Sequence, residues 1–188
     1  MVDAQFETDR LILRRLQDND ARSISMLAGD YDVAKMTLNI PHPYPGGAAT
    51  EFINRSKHAW DNHERYAFAI VLKATGTFMG VIGLIPEIRH RRAEVGYWIG
   101  KPHWGKGFMT ETLKRIIQFG FEDLDLNRIQ AGYIFDNPAS GRVMEKVGMQ
   151  LEGTFRQYAI RDDQPFDISY RAILREEYDV QQRDSRAR

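Results

Sequence analysis

Cysteine is absent from this 188-residue chain. Without it there is no disulfide framework, no thiolate nucleophile, no iron–sulfur cluster and no cysteine-based zinc site. An excess of either charge is absent too. The 26 Lys and Arg balance the 26 Asp and Glu, for a formal net charge of +0, which gives no footprint for general nucleic-acid binding or for an acidic membrane surface. Long apolar runs are missing as well. Residues 67–72 and 79–85 are the longest, far short of the ~20 needed to cross a bilayer. Residues 1–8 lack the basic and apolar regions of a secretory leader, so a cytoplasmic protein without membrane partners is expected. The five histidines (42, 58, 63, 90 and 103) show no HExxH spacing and no paired period, and no metal is expected. There is no GxSxG, which argues against serine-hydrolase chemistry.

What is present is an ordinary globular composition, 43% hydrophobic and 28% charged. Its length suits one domain, expected over residues 1–178, with a polar, fraying tail over 179–188. Residues 10–16 alternate apolar and charged side chains and read as a strand. Asp18, Asn19 and Asp20 offer caps for a helix carrying Ile24 and Leu27. Residues 41–47 hold three prolines and two glycines, the strongest breaker in the chain, before a second helix with Phe52, Ile53, Ala59, Trp60 and His63 on one side. Strands are predicted at 66–72, 79–85 and 93–99, the first two forming a hairpin through Gly76. A helix through Met109, Leu113, Ile116 and Ile117 comes next, then a strand at 128–134. Asn137 and Pro138 open a short helix that Gly148 ends. A final hairpin pairs 153–160 with 166–174. The order β-α-α-β-β-β-α-β-α-β-β predicts a mixed α/β domain with a sheet of six to seven strands, mostly antiparallel, and about four helices.

The most informative segment runs from Tyr97, Trp98 and Ile99 through Gly100-Lys101-Pro102-His103-Trp104-Gly105-Lys106-Gly107 into Phe108, Met109, Thr110 and Glu111. A strand enters a glycine-bearing loop that opens an amphipathic helix. Free N–H groups at such a helix start, with the dipole behind them, form an anion site. Glycine lets the main chain approach a phosphate closely, and Lys106 adds positive charge. A dinucleotide fingerprint would need glycine at Thr110. A triphosphate loop over residues 100–106 would need a hydroxyl at Gly107. An ordinary strand-to-helix turn would also use these glycines.

The loop lies between Ala93-Glu94-Val95-Gly96-Tyr97-Trp98-Ile99 and Asp136-Asn137-Pro138-Ala139-Ser140. With these flanks the chain resembles the GNAT-superfamily N-acetyltransferases over about residues 8–178, and within them the subgroup of ribosomal-protein N-terminal alanine acetyltransferases. The resemblance implies one domain splayed at its central strands, acetyl-CoA as donor, a primary amine as acceptor and direct transfer in a ternary complex. It implies that residues 104–108 (Trp104, Gly105, Lys106, Gly107 and Phe108) hold the pyrophosphate, that Thr110 adds a hydroxyl, and that Tyr97, Trp98 and Ile99 pair through their backbone with the pantetheine arm. The loop departs from the general superfamily at its first position, where Pro102 stands.

Three side chains are candidates for the chemistry. Glu94 is placed to take a proton from the amine, or to act as a structural or substrate-orienting carboxylate. Asn137 can cap its helix and also hold a pantetheine group. Many superfamily members carry a tyrosine seven residues after this asparagine, where Met144 stands. Ser140 resembles the serine assigned as proton donor in the ribosomal subgroup; otherwise the thiolate leaves unaided. Because an α-amine titrates near ~7.7–8 and a lysine amine near ~10.4, a carboxylate base suits a protein N-terminal α-amine better than a lysine. Tyr44 in the 41–47 loop and Tyr158 in the last hairpin are expected to line the acceptor side. The basic run 89–92 reads as a solvated loop. Two other readings stand beside this one: a non-catalytic acyl-CoA-binding module, and a nucleotide phosphotransferase using residues 100–106. The chain is expected to be a monomer or a homodimer.

Overall fold

The computed structural model describes residues 5–186. Strands β1 (Phe6–Glu7) and β2 (Leu11–Arg15) precede helices α1 (Ala21–Ala28), α2 (Tyr31–Ala34) and α3 (Ala48–Asp61). Strands β3 (Tyr66–Leu72), β4 (Thr77–Glu87) and β5 (Arg92–Ile99) lead into α4 (Phe108–Glu122), then β6 (Arg128–Ile134) and α5 (Pro138–Lys146). Strands β7 (Gln150–Arg161) and β8 (Gln164–Leu174) and helix α6 (Arg175–Arg186) complete the chain. The eight strands form one sheet in the order β1-β2-β3-β4-β5-β6-β8-β7. Every described pairing is antiparallel except β5 with β6.

Strand β3 shows why the core has two halves. Its sequence, Tyr-Ala-Phe-Ala-Ile-Val-Leu, is apolar throughout, as a strand covered on both faces must be. Alternation sends Tyr66, Phe68 and Ile70 into one cluster with Leu113, Ile116 and Phe119 of α4. It sends Ala67, Ala69 and Val71 into a second with Ile24 and Leu27 of α1 and Ile53 of α3. Phe119 is fully buried, with ring centroids 5.1 Å from Phe6, 5.3 Å from Tyr66 and 5.8 Å from Phe68. Phe119→Ala is expected to lower the unfolding free energy by about 3–5 kcal/mol, read as a lower urea midpoint at unchanged slope.

The sheet has one more strand, and the domain two more helices, than the sequence predicts. Strand β1 is two residues long and α2 is four, too short for any period to show. Helix α6 replaces the expected polar tail as far as Arg186. Its anchor is Tyr178, which is buried, lies 4.9 Å from the Phe121 ring and donates to Glu122 Oε1 at 2.7 Å. One buried tyrosine in a polar segment leaves no periodic signal.

The feature that matters for function is the short union of β5 and β6. They pair only at Arg92 with Arg128, Ala93 with Ile129 and Glu94 with Gln130. Residues 95–99 of β5 stay bonded to β4 on one edge. Their other edge opens into a cleft, where no further strand pairs with its backbone donors and acceptors.

Candidate active site

A cleft of about 1070 Å³ follows this open edge. Alternation along β5 sorts its walls. Ala93, Val95, Tyr97 and Ile99 face α4 and α5, while Glu94, Gly96 and Trp98 face α1 and α3. One strand thus presents a carboxylate to one side of the cleft and a phenol to the other. The cleft brings together Tyr44, Glu94, Tyr97, Trp98, Ile99, Trp104, Gly105, Gly107, Phe108, Thr110, Asn137, Ser140 and Tyr158. Lys106 does not line it: its ammonium donates to Pro102 O at 2.9 Å.

The loop end is built on left-handed glycines. Gly105 has φ +72° and Gly107, which precedes the first turn of α4, has φ +79°. A Cβ at Gly105 would meet nothing within 4 Å, so the space beside the main chain is open. The first-turn N–H groups of α4 have no partner within the helix and carry the positive end of its dipole. A diphosphate fits there, and an extended amide chain fits the free edge of β5. The loop is braced from a distance. Arg10 donates from Nε to Glu111 Oε2 at 2.7 Å and from Nη1 to Lys106 O at 3.0 Å, and Thr8 Oγ1 donates to Glu111 Oε1 at 2.5 Å. Burial favours the neutral form of Glu111, but these hydrogen bonds outweigh it and hold its pKa below the usual carboxylate value. Trp104 Nε1 donates to Ile99 O at 2.7 Å, which ties the loop back to the end of β5.

The α5 wall centres on Ser140. Asn137 caps the helix, its side-chain oxygen accepting from Ser140 N at 3.2 Å. Its amide nitrogen donates to Met36 O at 3.3 Å, so this side chain ties α5 to the segment after α2. Met144 is buried one turn beyond Ser140. The phenol that position 144 lacks arrives from β5 instead: Tyr97 Oη lies 2.9 Å from Ser140 Oγ. Burial, only partly offset by Ser140, pushes the Tyr97 phenol up to about 12, so it stays protonated at neutral pH.

On the opposite wall Glu94 is exposed to the cleft and accepts from Gln130 Nε2 at 3.4 Å. Gln130 in turn accepts from Arg128 Nε at 3.1 Å. Tyr170 lies close enough that burial, a hydrogen bond with Tyr158 and the charge of Glu94 together raise its pKa. Tyr158 is 59% exposed, with its ring centroid 5.9 Å from that of Tyr170. Tyr44 is half-buried against the α1–α3 cluster, and burial raises its pKa.

Several residues of the site escape a reading of the sequence. Arg142 and Lys146, one helical turn apart on α5, place two cations on the cleft wall. Arg161, at the tip of the last hairpin, donates to Lys35 O at 3.1 Å and Thr37 O at 2.5 Å, closing the hairpin onto the loop that follows α2. Arg65 lines the cleft with no ion pair among the described residues. The spacing of Arg142 and Lys146 was visible in the sequence; the long-range partners of Arg161 and Arg65 were not. Among the described residues no group of three or more His, Asp or Glu could hold a metal ion, and no helix is long and apolar enough to cross a membrane.

Residues 10–150 match the acetyltransferase (GNAT) domain family. The uncharacterized N-acetyltransferase YoaA of Bacillus subtilis strain 168 is 33% identical over 170 residues, covering 90% of this chain and 96% of that protein. The spermidine N(1)-acetyltransferase of Vibrio cholerae is 29% identical over 90% of this chain and 95% of its own length. Among solved structures, a GNAT-family acetyltransferase from Bacillus anthracis superposes with a TM-score of 0.83 at 25% identity, covering 92% of this chain and 99% of that one. A domain splayed beside β5, with a glycine loop at the end of that strand, agrees with these matches. The chain belongs to the GNAT family of acetyltransferases, enzymes that take acetyl-CoA as co-substrate.

Proposed function

We propose that this enzyme moves the acetyl group of acetyl-CoA directly onto a primary α-amine bound over Gly96, with Glu94 on the amine side and Ser140 on the thiol side. The observation that carries this reading is the placement of those two groups on opposite walls of one cleft, on either side of the free edge of β5. The phosphates rest on the N–H groups around Gly105, Gly107 and the first turn of α4, and the free edge of β5 takes the amide arm. The Lys106 ammonium, bonded to the Pro102 carbonyl, has no role in this reading.

In the reacting geometry the amine nitrogen forms a bond to the acetyl carbon while the carbon–sulfur bond breaks, its electron pair passing to sulfur. A backbone N–H at the open edge of β5 faces the thioester oxygen, where negative charge develops. The proton lost by nitrogen goes to Glu94, directly or through one water. Ser140 Oγ–H passes its proton to the leaving sulfur and regains one from Tyr97 Oη–H, which solvent reprotonates after the thiol leaves, while the proton on Glu94 returns to solvent; before transfer the phenol orients the serine hydroxyl. An α-amine suits this base: presenting a lysine amine in neutral form costs about 3.5 kcal/mol more at neutral pH.

Thiol release from acetyl-CoA in the presence of a panel of α-amines, lysine side-chain amines and polyamines tests the proposal. Fastest release with α-amines is expected, and release confined to lysine side chains or polyamines would refute the assignment. Ser140→Ala is expected to lower kcat about 10-fold or more while leaving the Kd for acetyl-CoA within about twofold. Equal kcat would reduce Ser140 to part of a helix turn.

A further inference from the structure

The floor of the cleft on the Glu94 side is a row of small residues. Ala67 of β3 pairs with Gly83 of β4, and Gly83 pairs with Gly96 of β5. Residues directly opposite one another in antiparallel strands share a face, so this row forms a trough under α1 and α3. The guanidinium of Arg65 occupies its middle: a Cβ at Gly83 would lie 3.1 Å from Nε and 3.2 Å from Nη2. Next to it the trough is vacant, because a Cβ at Gly96 would meet nothing within 4 Å. Glu94 stands two residues earlier on the same face as Gly96.

Arg65 is an unusual cation. Its Nε is buried with no hydrogen-bond partner, and the side chain forms no ion pair among the described residues. Burial, with the charge of Arg55 added, pulls its pKa down. Arg55 lines the same cleft, with only an exposed contact to Glu51 at 3.7 Å. A partly buried guanidinium without an anion is costly to maintain. Its planar fork matches a carboxylate. The glycine loop proposed for the CoA phosphates begins beyond Ile99, whereas Arg65 lies over Gly83, which pairs with Gly96 three residues earlier on β5. The same cleft is lined by Tyr44, Phe52 and Ile40, which pack against the α1–α3 cluster on this face of the sheet.

We infer that the acceptor is an amine carrying its own carboxylate on or beside the amine-bearing carbon, an apolar or aromatic L-amino acid, with Arg65 holding the carboxylate while Glu94 faces the amine over Gly96. This rests on the α-amine reading above and moves it from a protein N-terminus to a free amino acid, since a peptide N-terminus has an amide where this acid belongs. It also excludes polyamines, whose further cations would meet Arg55 and Arg65.

The test compares kcat/KM for L-phenylalanine, L-leucine and L-methionine with the matching amides, the decarboxylated amines, Phe-Gly amide and spermidine. The free acids are expected to exceed their amides by roughly 10²-fold. In Arg65→Met that preference collapses to within a few-fold, in Arg65→Lys part of it returns, and both variants bind acetyl-CoA with the wild-type Kd. Amides, Phe-Gly amide or spermidine turned over as well as the acids would overturn the carboxylate site and leave acetyl transfer to amines standing. Retention of the acid preference in Arg65→Met would overturn the role of Arg65. Should no compound turn over, binding of N-acetyl-L-phenylalanine by calorimetry in the presence of CoA decides: Arg65-dependent binding upholds the site, and absent or Arg65-independent binding overturns it. Lack of turnover with every amine, by contrast, counts against the α-amine reading itself.

Discussion

Gly105→Glu is expected to abolish acetyl-CoA binding, raising the Kd more than about 100-fold by calorimetry. Two effects act together. At φ +72° a side chain adds strain of roughly 1–2 kcal/mol. The new carboxylate then stands where the loop N–H groups and the helix dipole otherwise meet a diphosphate, and like charges at close range in a partly desolvated site repel strongly. Since a Cβ at Gly105 meets nothing within 4 Å, the fold itself is expected to survive, with Tm lowered by only a few degrees. Gly105→Ala separates the two effects, because it carries the strain without the charge and should weaken binding about 10-fold. An unchanged Kd in Gly105→Glu would place the phosphates elsewhere.

Glu94→Gln is the second large effect. The amide keeps the shape and can still meet Gln130, yet it cannot accept a proton, so kcat is expected to fall by ~10²–10⁴ at pH 7. The sign of its pH dependence follows from the amine. Below the α-amine pKa of ~7.7–8 the acceptor arrives protonated and must lose a proton at the site; above it the acceptor arrives neutral. The ratio of wild-type to variant kcat/KM should therefore shrink as pH rises from 6.5 to 9.5. A ratio that stays constant across that range would make Glu94 an orienting group rather than a base.

The parts of this molecule that were legible in the sequence are those set by local chemistry. Strands β3 and β6 stand at residues 66–72 and 128–134 as their apolar patterns predict, because a buried strand needs little context to declare itself. The cap at Asn137, the glycines ahead of α4 and the last hairpin are likewise short-range features. Elements held by single long-range contacts were not legible. Helix α6 depends on Tyr178 finding Phe121, and the short strand β1 on Phe6 finding Phe68 and Phe119. The same division runs through the site. Glu94, Ser140 and the glycine loop belong to motifs, whereas Tyr97 meets Ser140 across 43 positions and Glu111 meets Arg10 across 101. Lys106 was legible as a charge beside the glycines, but the bond from its ammonium to the Pro102 carbonyl four residues back was not.

Direct transfer is the centre of this account, and a chain without cysteine has no thiol on which to park the acetyl group. An initial-rate grid, varying acetyl-CoA against the best α-amine acceptor and following thiol release, tests it most directly. Intersecting double-reciprocal lines, with no release when the amine is omitted, are the predicted result. Parallel lines, or release that does not depend on the amine, would contradict transfer within a single ternary complex.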